Sequence, residues 1–276
     1  MKRLLQIEFQ KIFLNRASRL LTISYFILLT AIALIASIEF DIGQIHFRIA
    51  DQGIFNFPYI WHFNTWVAAL LKLFLAIVIV SMMANEYSYR TLKQNLIDGL
   101  SKREFILSKF YTVVVFAGVS TIFVFIVSLV LGLIFSDFTE VSIIFSDLEY
   151  LAAFFVKLCG FFSLCLLLGI WVKRSAFALG FLILLSIAEG IAYLFIRSQS
   201  DSKLADSISQ FFPMTAMSNL IKEPFSRLSG VKTLANQVGE ELVKDHQIYL
   251  WQIAIVLVWT AFFVWASYRL LEKRDL

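Results

Sequence analysis

Six long apolar stretches, distributed over almost the whole chain, are the feature that most constrains its fold. They occupy residues 20–40, 61–83, 105–135, 148–171, 176–196 and 249–271. Each stretch is long enough to cross the hydrocarbon core of a membrane as a helix, which takes about 20 residues. Apolar residues make up 59% of the chain, whereas a soluble domain contains about 45–50%. The sequence therefore predicts an all-α membrane protein with six transmembrane helices, built as one domain over residues 1–276.

The charged residues predict which ends of the spans face the cytoplasm. Basic residues concentrate in the N-terminal leader, the second loop, the short fourth loop and the C-terminal tail. The first loop has only Arg48, and the third loop has acidic residues without basic ones. Because short cytoplasmic loops are enriched in Lys and Arg, both termini are predicted to be cytoplasmic. These basic edges also account for the net charge of +4, so no nucleic-acid partner is indicated.

The leader, residues 1–19, is predicted to form a helix in the membrane interface. Leu5, Phe9, Ile12 and Phe13 recur at helical spacing and share one face. Basic side chains on such a helix can reach the anionic headgroups of the lipids. The alternative interpretation is a simple cytoplasmic extension of the first span.

The second loop, residues 84–104, is predicted to form a helical elbow on the cytoplasmic face. A helix that continues from the second span can extend to Asp98. Gly99 suits the position after a helix C-terminus, where a positive φ is favourable only without a Cβ atom. Ser101 and Glu104 have the spacing of a capping box at the start of the third span. An ordinary helical hairpin with polar caps is the alternative.

The same loop carries a resemblance to a known family. The residues concerned are Glu86, Arg90, Thr91, Leu92, Gly99, Leu100, Ser101, Lys102, Arg103 and Lys109, together with Glu8 and Lys11 of the leader. Their order and spacing resemble those of the permeases of ABC-2 type transporters. Arg90 stands where these permeases usually have Gly, and Gly99 stands near their usual Pro.

The resemblance implies the ABC-2, type V exporter-like permease fold, in a multi-pass protein of the bacterial cytoplasmic (inner) membrane. The elbow would be a coupling helix that docks into a cytoplasmic ABC ATPase subunit, and a second copy of the permease would complete the assembly. ATP and Mg would be bound by the ATPase, and no cofactor by this chain. The residues expected to couple the ATPase are Glu86, Arg90, Thr91, Leu92, Leu96, Gly99, Ser101, Arg103 and Glu104.

Three ionisable residues lie within the predicted spans: Lys72, Lys157 and Glu189. Charged groups in a membrane interior usually pair, or line a functional path. We therefore expect Glu189 to be buried against Lys72 or Lys157. A transport path lined by these residues is the alternative.

The fifth loop, residues 197–248, is too long for a simple connection. Its apolar part around Phe211, Phe212, Met214 and Met217 is predicted to form short re-entrant helices, as the resemblance implies. A small external cap on the ends of the helices is an equally good interpretation.

Catalytic motifs are missing from the sequence. It has no phosphate-binding loop and no HExxH motif, and His46, His62 and His246 are dispersed along the chain. We therefore predict no catalytic, cofactor or metal residues and no enzyme activity in this chain. The predicted function is the permease subunit of an ATP-driven exporter. The alternatives are a membrane scaffold that does not transport and, less favoured, an intramembrane hydrolase.

Overall fold

The computed structural model describes residues 2–37, 39–42, 45–48, 53–227 and 245–274, and within them the fold is helical apart from one short hairpin. Six of the helices are long and apolar enough to cross a membrane, so the chain is a multi-pass membrane protein. These six are α2 (Arg16–Ser37), α3 (Tyr59–Ser88), α5 (Lys102–Phe135), α7 (Glu149–Val172), α8 (Ser175–Gln199) and α11 (Leu250–Glu272). The shorter helices are α1 (Lys2–Leu14), α4 (Thr91–Ile97), α6 (Val141–Ile144), α9 (Ser202–Ser209) and α10 (Pro213–Asn219).

Helix α7 lies at the centre of the bundle and packs against α3, α5, α8, α10 and α11. Small residues allow the close approach of its neighbours. A Cβ atom added at Gly169 would lie 2.8 Å from Cβ of Met83 on α3, and one at Gly160 would lie 2.9 Å from Val256 on α11. Small residues at helix contacts are the usual way to pack helices where no hydrophobic effect drives their association.

The observed spans agree with the predicted ones to within a few residues at most ends. The clearest extension is α3, which continues to Ser88, because its last turns pack against the leader and the elbow. The first span ends at Ser37, three residues earlier than predicted. An antiparallel hairpin of β1 (Glu39–Ile42) and β2 (Ile45–Arg48) follows it.

Both chain ends lie on one face of the bundle, which we call the terminal face. Lys102 at the start of α5 donates hydrogen bonds to the carbonyl oxygens of Glu272 and Arg274 at 3.1 and 3.0 Å. Arg274 donates in turn to the carbonyl oxygen of Trp171 at 3.0 Å. The leader α1 and the elbow α4 lie on this face as well, since α1 packs on α5 and α4 packs on α3.

The opposite face carries the fifth loop, as far as the structure describes it. Helices α9 and α10 and the 3₁₀ turn Phe225–Arg227 pack over the bundle here, and residues 228–244 lie outside the described part. Met217 is buried, whereas Phe211 is 55% exposed. Short helices are thus present in this loop, with α10 packed against α7, α8 and α11, and their re-entrant position in the membrane stays a prediction.

Candidate functional site

The elbow is a separate helix, and not the continuation of the second span that the sequence led us to expect. Helix α3 ends at Ser88, and Arg90 has a left-handed backbone with φ +57° before α4 begins at Thr91. Such a conformation costs an L-residue roughly 1–2 kcal/mol, and glycine adopts it freely. The chain therefore turns sharply at the very position where ABC-2 permeases usually have Gly.

The exit from the elbow follows the local signals in the sequence. Gly99 has φ +96°, and its N–H donates to the carbonyl of Leu96, while the N–H of Leu100 donates to that of Asn95. These two bonds form a Schellman motif. The predicted capping box is also confirmed, because Glu104 N–H donates to Ser101 Oγ at 3.2 Å and Ser101 N–H donates to Glu104 Oε2 at 3.0 Å.

A buried charge network lies directly beneath the elbow. Lys109 of α5 is completely buried, and its ammonium lies 2.5 Å from a carboxylate oxygen of Glu8 and 2.6 Å from one of Glu86. Glu8 of α1 is 4% exposed and Glu86 near the end of α3 is 2% exposed. A charged group so deeply buried is tolerated only when it is paired and hydrogen-bonded. Three separate helices are thereby joined through one ammonium group.

Two further residues complete this charge network. Lys11 of α1 lies 2.8 Å from Glu86 and 3.4 Å from Glu8, and Thr91 Oγ1 donates to Glu86 Oε2 at 2.5 Å. Burial lowers the pKa of Lys11, but the charge of Glu8 and the hydrogen bond to Glu86 outweigh it, so its pKa is raised. Lys11 therefore stays charged at neutral pH. We use "the charge network" below for Glu8, Lys11, Glu86, Thr91 and Lys109.

The charge network fixes the elbow to the leader and to two spans. Thr91 is the first residue of α4, so its bond to Glu86 attaches the start of the elbow to the end of α3. Phe9 of α1 also stacks on Phe116 of α5, with ring centroids 5.6 Å apart. The leader thus packs against the bundle with one face. Phe13 and Leu14 are exposed, so Phe13 does not share the packed face with Phe9 as its spacing predicted. The location of this helix in the membrane interface stays a prediction.

The predicted coupling residues divide between the two faces of the elbow. Leu92 is 2% exposed and belongs to the apolar core, so its side chain faces the bundle and not the outward surface of the elbow. Helical periodicity turns Leu92 and Leu96 towards the bundle, where Leu96 packs partly against the core. Ile97, by contrast, is 68% exposed. The outward surface of the elbow consists of Tyr89, Arg90, Lys93, Gln94, Ile97, Asp98 and, beyond the turn, Ser101, Arg103 and Glu104.

The charges within the spans do not pair as the sequence led us to expect. Glu189 of α8 accepts hydrogen bonds from the backbone N–H groups of Met214 and Thr215 at the start of α10, each at 2.9 Å. Lys157 of α7 lies near the other end of α10, 3.5 Å from the carbonyl oxygen of Ser218. The expected pairing of Glu189 with a lysine is therefore wrong, because the unpaired N–H groups of α10 occupy its carboxylate.

A second cluster, which sequence reasoning missed, lies on the face opposite the termini. The His62 ring stacks on Tyr150 with centroids 4.3 Å apart and lies 5.4 Å from the His246 ring. Arg227 donates to His62 Nδ1 at 3.3 Å. These residues are up to 184 positions apart, so their spacing carried no signal. Within the described ranges, no group of three or more His, Cys, Asp or Glu side chains is arranged to hold a metal.

Comparison with known proteins places the chain in a family. The sequence profile of the family described as "Protein of unknown function (DUF2705)" matches residues 27–276. The chain belongs to the DUF2705 family. The DUF2705 match includes the elbow, Glu86 and Lys109, whereas Glu8 and Lys11 precede it.

One relative shows a more limited similarity. The DUF2705 chain is 28% identical over 149 residues to the "Uncharacterized protein YhcI" of Bacillus subtilis (strain 168). The aligned region covers 48% of this chain and 48% of that relative. The chain thus matches about half the length of this relative.

Proposed function

We propose that this chain is the membrane-spanning permease subunit of an ATP-driven ABC-2 type transporter, acting as an exporter. It would lie in the bacterial cytoplasmic membrane with the terminal face towards the cytoplasm. The observation that carries the proposal is the elbow α4, which presents an exposed surface and is tied by the charge network to α1, α3 and α5. An isolated connecting loop needs no such attachment.

The charge network would transmit force from an ATPase to the spans. Glu86 of α3 is bonded to Lys109 of α5 at 2.6 Å and to Thr91 of α4 at 2.5 Å. A displacement of α4 must therefore either move α3 and α5 or break buried bonds. The bond that attaches α4 is the hydrogen bond from Thr91 to the Glu86 carboxylate, which contributes about 1.5–3 kcal/mol. A movement of α4 would thereby pull on α3, and the ion pair of Glu86 with Lys109 would pass it on to α5. ATP binding and hydrolysis with Mg would take place in the partner subunit, and the movement of the elbow would open a path between two permease copies.

The outward surface of the elbow supplies the contact with the ATPase. It includes two exposed apolar side chains, Tyr89 before the helix and Ile97 at its end, which are 71% and 68% exposed, together with the exposed basic residues Arg90, Lys93 and Arg103. Aromatic side chains and arginine are enriched at protein interfaces. A compact helix of this kind can enter a groove on a cytoplasmic subunit.

The test is co-purification with the ABC ATPase encoded nearest to this chain, followed by reconstitution in proteoliposomes. Ile97→Asp should abolish capture of the ATPase without loss of the folded permease, since Ile97 contributes little to the core. Val141→Asp is the matched control, because Val141 is 70% exposed but lies in α6, beyond the other end of α5. Normal capture of the ATPase by Ile97→Asp would refute docking at the elbow.

Stimulation of ATPase activity distinguishes transport from the scaffold alternative. A permease should change the rate of ATP hydrolysis by its partner, and Lys109→Met should uncouple the two while capture persists. An ATPase that binds with an unchanged rate of hydrolysis would favour the scaffold.

A further inference from the structure

A cavity of about 460 Å³ opens between α3, α8, α9 and α10, away from the charge network. Polar side chains line much of it: Lys72, Ser186, Glu189, Tyr193, Thr215 and Ser218. Lys72, Ser186, Glu189 and Tyr193 belong to the spans α3 and α8, where polar groups are costly in hydrocarbon. The cavity is large enough to hold the headgroup of an amphiphile.

Lys72 is the basic side chain of this cavity. Within the described part of the chain its ammonium makes no hydrogen bond and no ion pair, and it lies 4.5 Å from the centroid of the Phe161 ring. It sits in the middle of α3, thirteen residues after the helix begins at Tyr59. A cation–π contact offsets only part of the cost of removing an ammonium from water. All three N–H donors of Lys72 are therefore available to a ligand.

Glu189 lines the same cavity but makes no ion pair with Lys72, because its carboxylate is hydrogen-bonded to the start of α10. Oε1 accepts from Met214 N–H, and Oε2 accepts from the N–H and the hydroxyl of Thr215, all at 2.9 Å. Within the described residues Lys72 therefore has no hydrogen-bond acceptor, and an anionic group in the cavity would supply one.

The surroundings of the cavity are apolar. Three apolar side chains of α8 are exposed beside it: Ile183, Ile187 and Leu194. They lie about one helical turn from the residues of α8 that line the cavity, Ser186, Glu189 and Gly190, and are therefore their neighbours on the helix surface. A ligand that placed an anionic head beside Lys72 could lay an apolar chain along these side chains. In a membrane these side chains of α8 face lipid, so a ligand from the bilayer could reach Lys72 along them, whereas a small hydrophilic anion would gain no contact from this surface.

We propose that this cavity binds the anionic head, phosphate or carboxylate, of an amphiphile, with Lys72 as the residue that contacts the head. The inference goes beyond the proposed function, because binding needs neither ATP nor an ATPase subunit. On this proposal Lys72 serves to bind the ligand and does not stabilise the protein when the cavity is empty.

The experiment measures binding of radiolabelled dodecyl phosphate to the purified chain in dodecyl maltoside. The unaltered protein should bind the probe saturably. Lys72→Gln should weaken binding at least about tenfold, the loss expected for one charge-assisted hydrogen bond. Lys72→Arg should retain most of the affinity because it keeps the charge. Lys203→Gln, which removes an exposed lysine from α9, is the matched control and should bind normally.

Two competitors separate the parts of the proposal. Dodecyltrimethylammonium should not displace the probe, and inorganic phosphate should displace it only at much higher concentration. Equal competition by inorganic phosphate would overturn the amphiphile in favour of a free anion. Unchanged binding by Lys72→Gln, with a thermal unfolding temperature no lower than that of the unaltered protein, would overturn the site itself.

Discussion

Replacement of Lys109 tests whether the charge network holds the elbow to the bundle. Lys109→Met removes the ammonium and keeps the length and most of the volume of the side chain. The carboxylates of Glu8 and Glu86, 4% and 2% exposed, then lose the cation at 2.5 and 2.6 Å. Removal of one partner from a buried ion pair costs about 3–5 kcal/mol. We expect the free energy of unfolding to fall by that amount.

Lys11→Met is the matched control, because Lys11 contacts the same two carboxylates. Its side chain is 36% exposed, whereas that of Lys109 is 0% exposed. Solvent screens a partly exposed pair, so its loss should cost about 1 kcal/mol or less. Addition of Glu8→Gln to Lys109→Met should restore part of the lost stability, because it removes one of the two unpaired charges.

The measurement is equilibrium unfolding by dodecyl sulfate in dodecyl maltoside micelles, followed by tryptophan fluorescence and far-UV circular dichroism. Coincident transitions from the two probes would justify a two-state free energy. The reasoning is refuted if Lys109→Met and Lys11→Met lose the same amount, or if Lys109→Met loses less than about 1 kcal/mol.

Three further predictions follow from the backbone, the spans and the topology. Arg90→Gly should be more stable than Arg90→Ala by about 1 kcal/mol in the same unfolding assay, because only glycine relieves the left-handed φ of +57°; equal stability would contradict this. Glu189→Ala should cost about 1–3 kcal/mol, since it leaves backbone N–H groups of α10 without an acceptor. Its effect should be additive with that of Lys72→Gln, and a coupling above about 0.5 kcal/mol would show that the two charges do pair. Maleimide labelling of whole cells should reach a cysteine at Ser200 and not one at Lys93; the native cysteines are buried, and the reverse pattern would invert the proposed topology.

Local signals in the sequence were sufficient for the spans and for the exit from the elbow. A span is set by its length and hydropathy, and a cap is set by side chains three to five residues apart. Ser101 and Glu104 therefore revealed their capping box, and Gly99 its positive φ, without any knowledge of the fold. The break at Arg90 escaped prediction because a positive φ is rare for arginine, and the preceding helix gave no other sign of ending.

Tertiary packing alone decided which charges meet. Glu8 and Lys109 are 101 residues apart, and nothing in their spacing shows that α1 lies across the start of α5. Glu189 similarly meets the start of α10 in place of a lysine, because α10 folds back over α8 and presents free N–H groups at hydrogen-bond distance. Packing also turned Leu92 inward and left Ile97 exposed. The sequence by itself determined the spans, their caps and the presence of buried charges, since these depend on neighbours along the chain. The partner of each charge depends on how the helices are arranged, and so only the folded bundle settled it.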